Sequence, residues 1–487
     1  MRSVVLINPP TPGSRKFTRN ADCAAESKGN YLWQPYDFLL LSGAFADSVH
    51  VHFIDAVAEE LDVAQVLARV QQCNGDLLIT AIVDVLWSSD LAFLQRLRKL
   101  YPDKPILCFG DALIEEQNAR TAWDSADGIV VNPFRFHADL LVKWTREEIR
   151  QNSLALGLRR PQEQSLLLKT VQSGRSLSPR HQLFLHPRYR WPFASFKKYT
   201  TITTSWGCPY SCSYCTGASL ESRYRPAENI LQEMRGIRDL GIKEIYFSDK
   251  SFGLPAANTL EVLDGMIREN FNFSWSTYIH PNQFSVELFD KMRASGCHTV
   301  IIGIETPKLD QLRKMGRVIS QNKLEDLLQY AYSHGLNVCG DFILGLPEDS
   351  ESDVQALISY SLSLPIDYAS YNIATPLPGS SIKAAALAAG TITSDDHHFD
   401  SSGGTRTMDS PHIRAQRLLE LRTQAVRRFY LRPGYLIGRL KRIRGWQHFQ
   451  IQFEEMLELF RKQLGPRLAS GAVRKIAAQN PQLEHKA

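Results

Sequence analysis

The sequence predicts an α/β protein with two parallel-sheet domains: a doubly wound, Rossmann-like N-terminal domain, then a partial barrel of six strand-helix units and a helical tail. Three observations predict this. Strand-like and helical runs alternate over residues 1–145, as in a parallel sheet whose crossovers are helices. From Thr201 to about Pro378 a second alternation recurs every ~30 residues, the step of a barrel built from strand-helix units. Between the two, residues 146–200 are polar, basic and Pro-containing, which reads as a linker running over the surface. At 487 residues the chain is too long for one ordinary core, and 44% hydrophobic with 22% charged residues is a globular composition.

In the first half, Ser3 to Asn8 is a short apolar run ending in Asn8-Pro9-Pro10. Trp33 to Asp47 has helical spacing, Val51 to Asp55 reads as a strand, and Val63 to Cys73 as a helix. Asp76 to Ile82, Pro105 to Phe109 (ending at Gly110) and Gly128 to Val131 read as strands, with a helix over Asp90 to Tyr101. Ligands of such sheets sit at the carboxyl ends of the strands.

Six strands are expected in the barrel: Thr201 to Trp206, Glu244 to Asp249, Phe273 to Ile279, Thr299 to Glu305, Asn337 to Leu344 and Tyr368 to Thr375. Helical runs separate them, and six units rather than eight imply an open barrel over residues 201–390 with its site at the carboxyl ends. Residues 391–487 change character. Thr391 to Ser410 reads as a mobile loop with His397 and His398 exposed, and Ile413 to Tyr430 and Ile451 to Leu464 read as helices.

No apolar run is long enough to span a membrane, the N-terminal apolar stretch is too short for a signal peptide, and a cytoplasmic address is expected. A net charge of +5 on this length gives no ground for a nucleic-acid partner. Five of the eight cysteines, Cys23, Cys73, Cys108, Cys297 and Cys339, are scattered singly, as expected of free thiols in a reducing compartment. The other three, Cys208, Cys212 and Cys215, fall in one short loop, Gly207-Cys208-Pro209-Tyr210-Ser211-Cys212-Ser213-Tyr214-Cys215. No fourth Cys or His lies nearby to close a zinc site. Three thiolates can hold a 4Fe-4S cluster and leave one iron open, which is the position a catalytic metal needs.

This loop resembles the Cys-x3-Cys-x2-Cys signature of radical S-adenosylmethionine (SAM) enzymes, down to the aromatic Tyr214 before the last cysteine. The resemblance implies a 4Fe-4S cluster on Cys208, Cys212 and Cys215. In that family the open iron is chelated by SAM, and an electron from the cluster cleaves a C–S bond to give a 5'-deoxyadenosyl radical. It also implies SAM contacts from Tyr214, from Asp249 at the second strand end, from Glu305 in Gly303-Ile304-Glu305-Thr306, from Gly345 in Gly345-Leu346-Pro347, and from Thr375 at the sixth. His280, just past the third strand, is expected to be an ordinary satisfied histidine.

The first half resembles the cobalamin-binding domain that precedes the barrel in one subgroup, with Asn8, Pro9, Asp55 and Gly110 as the matching strand-end positions. It lacks the D-x-H-x-x-G histidine, and the first histidine is His50. The domain therefore either binds cobalamin without a lower His ligand or binds none. The implied activity is cobalamin-dependent methylation of a small molecule, with flavodoxin or ferredoxin as electron donor. The alternatives are a cobalamin-independent radical reaction and a non-catalytic cluster-binding regulator.

Overall fold

The computed structural model describes residues 3–20, 25–26, 31–138, 145–161, 172–173 and 176–441. The predicted helix over 451–464 and Cys23 lie outside the described residues.

The N-terminal sheet begins with β1 (Ser3–Asn8), whose Val4-Val5-Leu6-Ile7 run is buried on both faces. A short hairpin follows, β2 (Phe17–Thr18) with β3 (Ala25–Glu26), then α1 (Tyr36–Ser42) and β4 (His50–Asp55). Next come α2 (Val63–Cys73), opened by an Asp62/Gln65 capping box, β5 (Leu77–Ala81), α3 (Trp87–Leu100), β6 (Ile106–Phe109), α4 (Glu116–Trp123) and β7 (Gly128–Val130). The strand order is β4-β1-β5-β6-β7-β8. All pairs are parallel except the last, formed by β8 (Leu158–Arg159) after α5 (Arg146–Gln151). One apolar layer holds α1 and the segment around Phe134 and Phe136, and the other holds α2, α3 and α4. Because β1 lies between β4 and β5, the connections reverse there, which opens a crevice at the carboxyl ends of β1 and β5.

The expected surface linker does more than connect. Its first part supplies β8, so the sheet extends past residue 145, and a Cβ on Gly128 would stand 2.5 Å from Leu158. Its last part enters the barrel. Trp191 stacks on Tyr246 with ring centroids 3.7 Å apart and donates to Ser276 at 2.7 Å. Tyr199, Tyr246, Ile301, Cys339 and Tyr368 surround it near the starts of their strands. Aromatic rings gain more from that dry interior than from water, so they leave the surface path that the polar neighbours suggest.

The barrel sheet is β10 (Tyr199–Ile202), β13 (Glu244–Phe252), β14 (Ser274–Ile279), β15 (Cys297–Glu305), β16 (Asn337–Leu344) and β17 (Tyr368–Ile373), parallel throughout and in sequence order. Among the described residues nothing pairs β17 with β10, so the barrel stays open as predicted. The helices between strands are α6 (Ala227–Asp239), α7 (Ala256–Arg268), α8 (Val286–Ala294), α9 (Leu309–Lys314), α10 (Gln321–His334) and α11 (Glu351–Ser363). Most turn apolar faces onto the outward residues of the strands in one large core.

The predicted first strand, Thr201 to Trp206, divides in two. Only Tyr199–Ile202 joins the barrel, while β11 (Ser205–Trp206) pairs with β12 (Arg223–Tyr224), which also pairs with β9 (Gln172–Ser173). The division falls where Thr203 turns to Ser248, and Thr204 and Ser205 turn to Asp249.

After β17 come α12 (Ser381–Ala388), α13 (Ala415–Tyr430) and α14 (Pro433–Lys441). Helix α13 covers β17 and α11 with Leu418, Leu421 and Phe429, and Tyr430 bonds both backbone groups of Ala369. Residues 391–410, expected to be a mobile loop, pack instead. His397 is buried, stacks on Trp87 with centroids 5.0 Å apart, and bonds Asp84 at 2.9 Å; only His398 is exposed. Asp84 also accepts from the buried Lys383 at 3.3 Å, so a cation and an imidazole from the C-terminal half meet a carboxylate of the N-terminal sheet. Gln34 adds a second tie. Its side chain accepts from Thr201 N at 2.7 Å, and its backbone N–H donates to Tyr199 at 2.8 Å. No described helix is long and apolar enough to cross a membrane.

Candidate active site at the carboxyl ends of the barrel strands

The cysteine loop is held from three sides. Gly207, at φ +70, lets the chain turn where a Cβ would stand 2.3 Å from the Glu221 carbonyl. Behind it, Asp249 is fully buried and accepts from Thr204 N at 3.1 Å and from the Thr204 and Ser205 hydroxyls at 2.6 Å. Burial raises the Asp249 pKa and these donors oppose the rise. Asp249 therefore anchors the segment that launches the cysteines, and both its oxygens are already engaged. On the second side, Gln283 donates to the Tyr210 hydroxyl at 2.7 Å, and His280 stacks on the Tyr210 ring with centroids 4.3 Å apart. On the third, Ser213 N donates to Met315 O at 2.9 Å, and Gly316 is bare where a Cβ would meet Ser211 O at 2.6 Å.

Held this way, the three cysteines lie close enough for their charges to interact. Burial pushes Cys208 up to about 11 and Cys215 up to about 12, and the neighbouring cysteine charges add to both. An ideal Cβ on Gly217 would lie 3.4 Å from Cys215 Sγ and 3.6 Å from the Cβ of Cys208, so a glycine faces the space between them. Thiols that resist ionisation because they are buried, and secondarily because neighbouring thiolates would repel, suit a multiply charged cation. Among the described residues no three His, Cys, Asp or Glu side chains converge on a single metal-ion position. Three thiolates are the donor set that a 4Fe-4S cluster takes, one on each of three irons.

Beside the loop lies a buried pair that the sequence reading missed in half. Glu305, expected at this end of β15, adopts φ +64 and faces Arg317, whose Nε is 3.6 Å from its Oε1. Arg317 also donates to Gly303 O at 2.5 Å and reaches Cys212 Sγ at 3.9 Å. Burial raises the Glu305 carboxyl to about 7 against the opposing Arg317 charge, with nearby Asp341 adding to the rise. Burial alone would lower Arg317, but Glu305, Tyr214 and Cys212 outweigh it and hold the guanidinium charged. Gly303 makes room for the pair, since a Cβ there would fall 2.2 Å from Glu305 Oε1 and 2.7 Å from Arg317 Nη2. Arg317 could have been suspected from Lys314-Met315-Gly316-Arg317, but a basic residue after a surface helix reads as solvated until the turn carries it inward. Lys250, one residue past Asp249, was also missed. Its amine lies 3.3 Å from the Tyr36 hydroxyl of the N-terminal domain, and burial lowers its pKa to about 7.

The remaining expected residues divide. Tyr214 is largely buried beside Glu305, and burial first, then that charge, raises its pKa. Thr375 is buried, and its hydroxyl donates to Ile373 O at 2.8 Å. Gly345, at φ +75, is closed off by Leu418 of α13, which a Cβ would meet at 2.7 Å. In the N-terminal domain, Asn8 donates to Asp55 at 2.8 Å, and Asp55 also accepts from Val57 N, Ala58 N and the Tyr189 hydroxyl. Arg19, fully buried, donates to Asn8, Pro9 O, Pro10 O and Asp90. Gly110, at φ +135, touches Ile82 O, 2.0 Å from an added Cβ. Asn8, Pro9, Asp55 and Gly110 thus stand together at the carboxyl ends of the strands, with the polar groups of the first three bonded to neighbouring residues. Next to them on β5, the Thr80 hydroxyl is buried without a hydrogen-bond partner.

Residues 202–360, which hold the three thiols and most of the open barrel, match the sequence model of the Radical SAM superfamily. It is 30% identical over 240 residues to an uncharacterized methyltransferase of Pyrococcus horikoshii, covering 48% of this chain and 52% of that protein. The chain spans about half the length of the curated relatives it matches. Two solved structures share its fold. The radical SAM methyltransferase TsrM from Kitasatospora setae, with cobalamin and a 4Fe-4S cluster bound, aligns with TM-score 0.60 at 18% identity over 80% of this chain and 79% of that one. The cobalamin-dependent radical SAM enzyme OxsB aligns with TM-score 0.57 at 13% identity over 98% and 75%.

Proposed function

We propose that this chain is a radical SAM methyltransferase that uses a 4Fe-4S cluster on Cys208, Cys212 and Cys215 and a cobalamin to methylate an unactivated carbon of a small molecule. The carrying observation is the gathering of three cysteines, close enough for their charges to interact, and the buried Arg317–Glu305 pair at one end of the barrel. With a cluster held by Cys208, Cys212 and Cys215, the chemistry supplied would be one-electron cleavage of a sulfonium C–S bond, and a cobalamin would supply the methyl carrier. Arg317 offers a fixed cation for the carboxylate of SAM, and Glu305, poised near 7, offers an acceptor for its hydroxyl or ammonium groups. Asp249 keeps the cysteine loop in place, and the aromatic plug around Trp191 keeps water from the inner half of the barrel. The electron donor would be a flavodoxin or ferredoxin.

The crevice between β1 and β5, with the unpartnered Thr80 hydroxyl, supports a ligand on the N-terminal sheet. A second reading, a cobalamin-independent radical enzyme with a vestigial first domain, draws support from Asn8 and Asp55, whose polar atoms are already engaged. Corrinoid content of protein purified without oxygen and supplied with cobalamin separates the two. About one corrinoid per chain is expected, and a full cluster with no corrinoid would reject the methyltransferase reading.

A further inference from the structure

His280 follows β14 and is buried, with 4% of its surface exposed. Its Nδ1 lies 3.1 Å from the backbone N–H of Asn282. A backbone N–H can only donate, so Nδ1 is the acceptor, and in the neutral ring the proton sits on Nε2. That Nε2–H has no hydrogen-bond partner in the protein. The expectation of an ordinary satisfied histidine is therefore met at one nitrogen only.

The surroundings place the ring beside the cysteine loop. The ring stacks on Tyr210, which lies between Cys208 and Cys212. Arg317, whose charge acts on the ring, reaches Cys212 Sγ at 3.9 Å. A buried N–H without an acceptor is rare in native proteins and calls for one the protein itself does not supply. The acceptors that a bound cluster brings to this place are sulfur atoms.

We propose that His280 is a positioning residue that donates its Nε2–H to a sulfur of the 4Fe-4S cluster and holds the reduced cluster at a less negative potential. The inference rests on the cluster reading above. Hydrogen bonds to cluster sulfurs stabilise the extra negative charge of the reduced state, so losing one lowers the potential. The stack on Tyr210 keeps the imidazole from rotating away, and the Asn282 N–H fixes the tautomer.

The test is an EPR-monitored redox titration of the anaerobically reconstituted full chain without SAM, comparing wild type with His280→Phe and His280→Gln. Phe keeps the stack and removes the donor; Gln restores a donor close to the Nε2 position. The expected result is a full complement of iron and sulfide in each, a more negative midpoint in His280→Phe, and recovery in His280→Gln. As a measurement that needs no variant, pulsed EPR of the reduced wild-type cluster with 15N-labelled histidine should show one histidine nitrogen and an exchangeable proton coupled to it. A full cluster with an unchanged midpoint and no such coupling overturns the proposal alone. An unchanged midpoint with weaker SAM binding also overturns it, assigning the donor to SAM. An iron-free wild type overturns the cluster reading and this proposal together.

Discussion

Replacing Arg317 by Met should produce a destabilisation that grows with pH, because Glu305 would lose the charge that lets it ionise. The folded-state carboxyl stands at about 7, against ~4.3 when unfolded. The folded protein therefore holds this proton longer than the unfolded chain does. Its contribution to wild-type stability is largest below pH ~4.3, is lost as pH rises toward 7, and then levels off. At pH 8 ionisation in place recovers about 1.4 kcal/mol relative to a carboxyl kept protonated, and at pH 6 less than ~0.1. Without Arg317 the buried carboxyl should titrate above ~9 and recover almost nothing at either pH. The cost of Arg317→Met should thus be about 1.3 kcal/mol larger at pH 8 than at pH 6. Urea unfolding of iron-free protein under reducing conditions, followed by tryptophan fluorescence at both pH values, measures the difference. In the Glu305→Gln background the pH-dependent part should vanish. Parallel pH curves for wild type and Arg317→Met would refute the pairing.

Asp249→Ala should cost about 3 kcal/mol and lower iron loading, because it strands the Thr204 and Ser205 donors that set the loop; Asp249→Asn should retain part of both, as read from urea midpoints and iron per chain. Lys383→Met should destabilise the chain by ~3–5 kcal/mol by leaving Asp84 buried without its cation, and the double variant with Asp84→Asn should recover most of that loss in the same titration. Gly303→Ala drives a methyl between Glu305 and Arg317, and the expected result is about tenfold weaker SAM binding, ~1.4 kcal/mol, by calorimetry on the reconstituted protein.

Much of this could be read from residues close in sequence. The parallel sheets were legible because runs such as Val4-Val5-Leu6-Ile7 and Leu77-Leu78-Ile79 have the continuous apolar character of strands buried on both faces. The three cysteines were legible because their spacing is itself the signal. What stayed hidden depends on partners far along the chain. Arg317 becomes part of the site only when a turn at Gly316 brings it back over Cys212, and Trp191 looks like a linker residue until Tyr246 gives it a face to stack on. His397 and Lys383 find Asp84 some 300 positions away, at separations of 313 and 299 residues. Asp249 was expected to end its strand, but β13 runs on to Phe252, and hydroxyl donors from the divided first strand turn the carboxylate toward the loop.

Iron and sulfide analysis of anaerobically reconstituted protein, with and without each cysteine, is the most direct measurement. Wild type should carry about four irons per chain and, with SAM and a strong reductant, release 5'-deoxyadenosine, and each of Cys208→Ala, Cys212→Ala and Cys215→Ala should lose both properties. A wild-type chain that stays colourless and iron-free, or an alanine variant that still releases 5'-deoxyadenosine, would contradict the account.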